Sequence, residues 1–337
     1  METQYSMKDE KKILVTGGAG YLGSVLTDKL LGKDYHVTVL DIGMFGAEGL
    51  LNHFGKKNFN YVKGDIRDKK LLSDLLRGKF NSVLHLAALV GEPACDGDSR
   101  LAEDINCHAT IELGKIAKEK GVKRFIFMSS SSNYGVSKPN ELADENSPIN
   151  PLTLYSKTKV EAEEGISRLN DSEFAVCIVR LAALFGLSSK MRFNLLINEL
   201  VREAYFGKEM LLYKENAWRP YTHTHDAADA LITILEAKEK LVTGQVFNVG
   251  TENYKKKDLI TLIKKHVKNV KIIRKGGETN NRDYKVSFAK IEKVLNFRPK
   301  KSVADGIEEL FWALKNNIFN NPYDEKYSRW INKTVLE

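Results

Sequence analysis

Glycine spacing constrains this chain more than any other feature. In "ILVTGGAGYLGSVL", Gly17, Gly18, Gly20 and Gly23 follow Lys12–Thr16, an apolar run that reads as a buried first strand. The spacing is G-x-G-x-x-G from Gly18 and G-x-x-G-x-x-G from Gly17. A strand that stops at glycines and opens into a helix, here residues 22–31, brings backbone close to a pyrophosphate. The helix N-terminus attracts that anion through free N–H groups and its dipole. Asp41 ends a second strand about twenty residues on, where a carboxylate can accept hydrogen bonds from both hydroxyls of a ribose. Its charge opposes a 2′-phosphate, and no arginine follows at 42–46. The pattern points to NAD over NADP.

Further strand-like runs lie at 59–62, 82–86, 124–128 and 175–180, with helical stretches at 104–120 and 154–169. Strands alternating with helices predict a doubly wound parallel α/β sheet. Beyond about residue 186 the alternation loosens. Helices are expected at 193–206, 226–237, 258–267, 288–295 and 302–315, and a strand at 245–249. The 337 residues suit a nucleotide-binding domain at 11–186 and a smaller α/β substrate domain, mainly 187–320, with some exchange of chain between them.

Composition excludes other classes. There is no run of 18 apolar residues, so no membrane helix is expected, and METQYSMKDE does not read as a secretory signal. The three cysteines, Cys95, Cys107 and Cys177, show no CxxC spacing, which points to the reducing cytoplasm and away from structural zinc. The net charge of +8 is dispersed over the chain. It fits a phosphate-bearing small molecule and does not call for nucleic acid.

Tyr155 and Lys159 are four apart on a helix and share a face. Alone that is a common surface pattern. Here it follows "FMSSSSNYG", which leaves the fifth strand. A serine at that strand's carboxyl end is placed to touch substrate, and Tyr155 can serve as acid and base. A phenol titrates near ~10, and a neighbouring ammonium lowers that value. Asp65 and Ile66 are placed to meet the adenine. Ala87 and Ala88 either leave room for a cofactor or simply pack closely.

GGAGYLG, Asp41, GDI, HLAA, the serine run and Tyr-x-x-x-Lys, in that order over residues 11–315, resemble the extended short-chain dehydrogenase/reductases. Within them the chain is similar to nucleotide-sugar epimerases and dehydratases related to UDP-galactose 4-epimerase. The resemblance implies a Rossmann-type fold and NAD held by Gly17, Gly20, Tyr21, Leu22, Gly23, Asp41, Asp65, Ile66, Ala87, Ala88, Tyr155 and Lys159. Asn106 matches an asparagine near the nicotinamide, or serves structure. Ser130, Tyr155 and Lys159 become the catalytic set. Ser130, Asn194, Arg219 and Arg282 become contacts of a nucleoside-diphosphate sugar. His223 becomes a structural residue; His223 and His225, two apart, are poor evidence for a metal site, and no metal is expected. Family dimers form a four-helix bundle, here from 104–120 and 154–169, with Ile105, Ile111 and Leu113 facing either a partner or the core.

The chain also departs from the family. Ser131 and Ser132 stand where 4,6-dehydratases carry Asp-Glu. Ala183 and Leu187 replace an asparagine and a proline of the sugar pocket. "LVGEPACDGD" resembles a branch acting on GDP-heptoses and other surface-polysaccharide precursors, with Cys95 a small apolar contact. The expected reaction is epimerisation at C4 of the sugar. A 4-dehydrogenase, a 4-keto reductase or a non-catalytic NAD sensor are the alternatives.

Overall fold

The apolar runs of the first half become strands covered on both faces. The computed structural model describes residues 11–137, 141–275 and 282–328; METQYSMKDE lies outside them. Across the central sheet the strands run Gln245–Val249, Ala175–Leu181, Arg124–Ser130, Ser82–His85, Lys12–Thr16, His36–Asp41 and Phe59–Lys63. All neighbours are parallel. The strand order reverses beside Lys12–Thr16, which opens a crevice at the carboxyl ends of the strands.

One face of the sheet is covered by the helices Tyr21–Leu31 and Thr224–Glu236, around Leu26, Leu30, Leu231 and Phe247. The other is covered by Lys69–Leu76, Thr110–Glu119 and Leu154–Ser167, around Leu72, Leu113, Phe125 and Ile166. A third core, with Phe193, Leu200, Ile263 and Leu310, joins Leu196–Tyr205, Lys256–Ile263 and Val303–Lys315.

Three features differ from the sequence expectation. The helix expected over 104–120 starts earlier, at Ser99, and runs unbroken through a π-helical stretch at Asp104–Ala109 into Thr110–Glu119. The strand Gln245–Val249, to which the sequence assigned no sheet, joins the central sheet beside Ala175–Leu181, so the chain returns to that sheet after residue 186. Short strands absent from the expectation pair in the C-terminal half: Glu209–Tyr213 with Lys271–Lys275, and Trp218–His223 between Ala183–Phe185 and Glu252–Lys255.

Ile105 and Leu113 are buried in the sheet core, and Ile111 lies on Gly165 of the neighbouring helix. Among the described residues no helix is long and apolar enough to cross a membrane.

Candidate active site

The carboxyl ends of the strands open into a cavity of about 620 Å³ that runs from the glycine loop to the C-terminal half. Gly17, Gly20, Tyr21, Leu22 and Gly23 line one end. Gly17 has φ +72°, and a Cβ there would sit 2.7 Å from the Ala87 nitrogen. The position therefore admits only glycine, both for its conformation and for the close approach of the two strand ends. The helix begins at Tyr21, and its first turn carries no acidic residue to compete with a bound anion. Asp41 accepts the Ala19 N–H at Oδ2 (3.0 Å) and the Gly43 N–H at Oδ1 (2.9 Å), which fixes its carboxylate beside the loop.

Asp65, Ile66, Ala87 and Ala88 line the same end. The Asp65 carboxyl is held below its ordinary range: burial pushes it up, but the bidentate Arg67 guanidinium (2.6 and 3.0 Å) outweighs that. The glycine cradle, the fixed acid and the small Ala87 and Ala88 fit a dinucleotide.

At the far end of the strand Arg124–Ser130 the chain makes a short turn, Ser131–Tyr134. Ser130 Oγ accepts the Ser132 N–H (3.2 Å) and lies 2.8 Å from Ser132 Oγ. Opposite it starts the helix Leu154–Ser167, fixed by a capping box between Thr153 and Ser156. That box sets Tyr155 in the first turn and Lys159 one turn later, and both side chains line the cavity.

Lys159 is 2% exposed; its Nζ donates to the Met128 carbonyl (2.9 Å) and lies 4.7 Å from the centre of the Phe127 ring. Burial brings it down to about 8, opposed by Cys95 and Glu163. Burial also pushes the Tyr155 phenol up to about 12, reinforced by Cys95 and opposed by Arg282, the Ser130 hydroxyl and Arg192. The lowering expected from Lys159 alone is thus not the dominant effect. The arginines across the cavity supply the opposing charge.

Arg219 is buried, and its Nη1 donates to the carbonyls of Trp218 (2.8 Å) and Arg282. Arg282 Nη2 meets Glu92 Oε1 at 2.5 Å. Both arginines line the cavity, as does the buried Lys256.

Asn106 and Asn194 are not among the residues that line this cavity. Asn106, fully buried in the π-helical stretch, exchanges hydrogen bonds with the Leu89 backbone (2.8 and 3.0 Å) and reaches Thr158 Oγ1 (3.4 Å). It ties the 89–98 segment to the helix of Tyr155 and is not part of the cavity wall. Asn194 is likewise off the wall; its Oδ1 accepts Arg192 Nε at 3.2 Å. Arg192 itself faces the cavity and was not singled out in the sequence. Its one signal there is a cation between two apolar residues, Met191 and Phe193.

Behind the site, Glu163 accepts Ser129 Oγ (2.5 Å), Asn133 Nδ2 (2.8 Å) and Arg180 Nη2 (2.8 Å). Cys95, Cys107 and Cys177 are free and buried. His223 is buried, accepts the His225 N–H at Nδ1 (3.3 Å) and faces Glu309 at 3.3 Å. Among the described residues no group of three His, Cys, Asp or Glu could hold a metal.

The sequence model of the NAD dependent epimerase/dehydratase family matches residues 13–250. A putative UDP-glucose 4-epimerase of Methanocaldococcus jannaschii is 29% identical, over 90% of this chain and 99% of that protein. A dTDP-glucose 4,6-dehydratase of Streptomyces venezuelae, solved with NAD bound, superimposes with a TM-score of 0.81 at 25% identity, covering 91% of this chain and 98% of that one. A UDP-glucose 4-epimerase of Thermotoga maritima, solved with UDP-glucose, gives a TM-score of 0.83 at 22% identity, covering 91% and 100%.

Proposed function

Because the chain belongs to the NAD-dependent epimerase/dehydratase family, we propose that it epimerises a nucleoside-diphosphate sugar at C4. The observation that carries this reading is that Ser130, Tyr155 and Lys159 share one cavity with the glycine loop at one end and Arg219 and Arg282 at the other. NAD, when bound, supplies the hydride acceptor and donor.

Every other part belongs to the chain. Gly17, Gly20 and the first turn at Tyr21 to Gly23 cradle the pyrophosphate of the cofactor, and Asp41 holds its adenosine ribose. The Ser130 hydroxyl orients the sugar hydroxyl, and Tyr155 takes its proton. Lys159 retains two N–H donors beyond the one on Met128, enough to hold a ribose and favour the phenolate. Arg219 and Arg282 face the substrate diphosphate with the planar fork of donors that phosphate oxygens accept.

Dehydration is disfavoured by the serine turn. Ser131 and Ser132 follow Ser130, and the carboxylates of the cavity wall are Asp41, Asp65 and Glu92, none of them in that turn. A leaving hydroxyl on C6 has no acid there to protonate it.

The test is proton NMR of the NAD-loaded protein with UDP-, GDP-, dTDP- and CDP-sugars. A new epimer without accumulating NADH is the expected outcome. A 4-keto sugar with matching NADH would make the protein a 4-dehydrogenase, and turnover only of a keto sugar with NADH would make it a reductase.

A further inference from the structure

The two arginines read as gripping the substrate diphosphate are not equivalent. Arg282 is paired with Glu92, which stands at the start of the helix Glu92–Gly97 in the 89–98 segment. A guanidinium held against a carboxylate has part of its donor fork and its charge already committed, and a diphosphate must compete with that carboxylate for it. A third guanidinium faces the same cavity. Arg192 is carried between the strand Ala183–Phe185 and the helix Leu196–Tyr205, and Asn194 Oδ1 holds its Nε at 3.2 Å. Burial lowers its pKa, and the groups that oppose this are the Tyr21 and Tyr155 phenols. No carboxylate among the described residues pairs with it. Arg192 is half-buried on the cavity wall, so its guanidinium keeps charge and donors available to an anionic ligand that enters the cavity. Arg192 and Arg282 line the same cavity as Tyr155, and the charge of each opposes the rise of its phenol's pKa.

We infer that Arg192 is a gripping residue for the substrate diphosphate, supplying there the charge that Glu92 withholds from Arg282. The inference rests on the nucleotide-sugar reading above. It makes the Glu92–Arg282 pair a determinant of affinity: loss of the Glu92 charge releases Arg282 and makes Arg192 less necessary.

The experiment is titration calorimetry of the NAD-loaded protein with UDP, GDP, dTDP and CDP, and with the matching monophosphate as control. Arg192→Met should weaken the preferred diphosphate by about 10- to 100-fold, as loss of charge-assisted hydrogen bonds does, and leave the monophosphate within a few-fold. Glu92→Gln alone should tighten the diphosphate, and Glu92→Gln with Arg192→Met should recover most of the loss. Arg192→Lys, which keeps charge without the fork, should fall between; NAD binding by each variant shows that it is folded. Unchanged diphosphate binding by Arg192→Met, with a loss only for the intact sugar nucleotide, would overturn the inference and place Arg192 on the sugar. A loss that Glu92→Gln does not relieve would also overturn it. If wild-type protein binds none of the four diphosphates, the nucleotide-sugar reading itself falls and takes this inference with it.

Discussion

At the scale of single residues, Lys159 shows how a site sets function against stability. Its ammonium is almost fully buried, and burial lowers it from 10.5 to about 8. The folded protein therefore releases this proton before the unfolded chain does. Between about pH 8 and 10 the unfolded state binds more protons, so this group makes stability rise with pH in that window; below about 8 the full penalty applies. Lys159→Met should abolish turnover, yet raise stability at pH 7 by on the order of 1–3 kcal/mol and flatten the pH dependence of thermal unfolding in that window. A destabilised variant would show that the Met128 bond and the Phe127 contact outweigh the burial cost. Wild-type activity should fall as pH rises above about 8, when the ammonium is lost. Tyr155→Phe removes only a hydroxyl; turnover should vanish while calorimetry shows NAD binding retained. Residual turnover would reassign the acid/base. Tyr155 and Lys159 were legible because their spacing follows a serine-ended strand. Arg192 was not, since a single arginine between two apolar residues carries no spacing signal, and only the fold brings it to the cavity.

At the scale of elements, the helix Leu154–Ser167 is anchored at its start and again in its third turn. Its start is fixed by the Thr153–Ser156 capping box, and its third turn by Glu163, which gathers Arg180 and Ser129 of two neighbouring strands and Asn133 of the serine turn. The ion pair is buried on both sides. Glu163→Ala should lower stability by about 3–5 kcal/mol, because it leaves the Arg180 guanidinium buried without its partner. Replacing both, as Glu163→Leu with Arg180→Met, should cost less than the single change. Denaturant midpoints at unchanged m-value decide this, and equal losses would show that the pair is not coupled. The residue types of 104–120 are all helix-compatible, so the sequence reads as one helix. The π-helical stretch there is a tertiary demand: Asn106 must meet the Leu89 backbone and Thr158 together. Local propensity carries no record of such a demand.

At the scale of the whole molecule, the first six strands were legible because parallel strands buried on both faces are continuous apolar runs. The C-terminal half was less so. Lys271–Lys275 is a short strand of mixed polarity, and its pairing with Glu209–Tyr213 spans a long separation in the chain. The placement of Gln245–Val249 was equally hidden. Its period identifies a strand, but nothing in its residues says that it closes the sheet begun at Lys12. That placement has a physical consequence. Phe247 and Val249, from this strand, and Ala227, Leu231 and Ile234, from the helix Thr224–Glu236, are buried in one core with Val15, Leu26 and Leu30 of the glycine-loop unit. A fragment ending at residue 186 would expose that apolar face and leave Ala175–Leu181 as an unpaired edge. Expressed alone, residues 11–186 should therefore aggregate or lack a cooperative unfolding transition. The full chain should unfold with NAD binding and the far-ultraviolet signal lost together. A fragment that melts cooperatively and binds NAD would show that the glycine-loop half is an independent domain and that the seventh strand only decorates it.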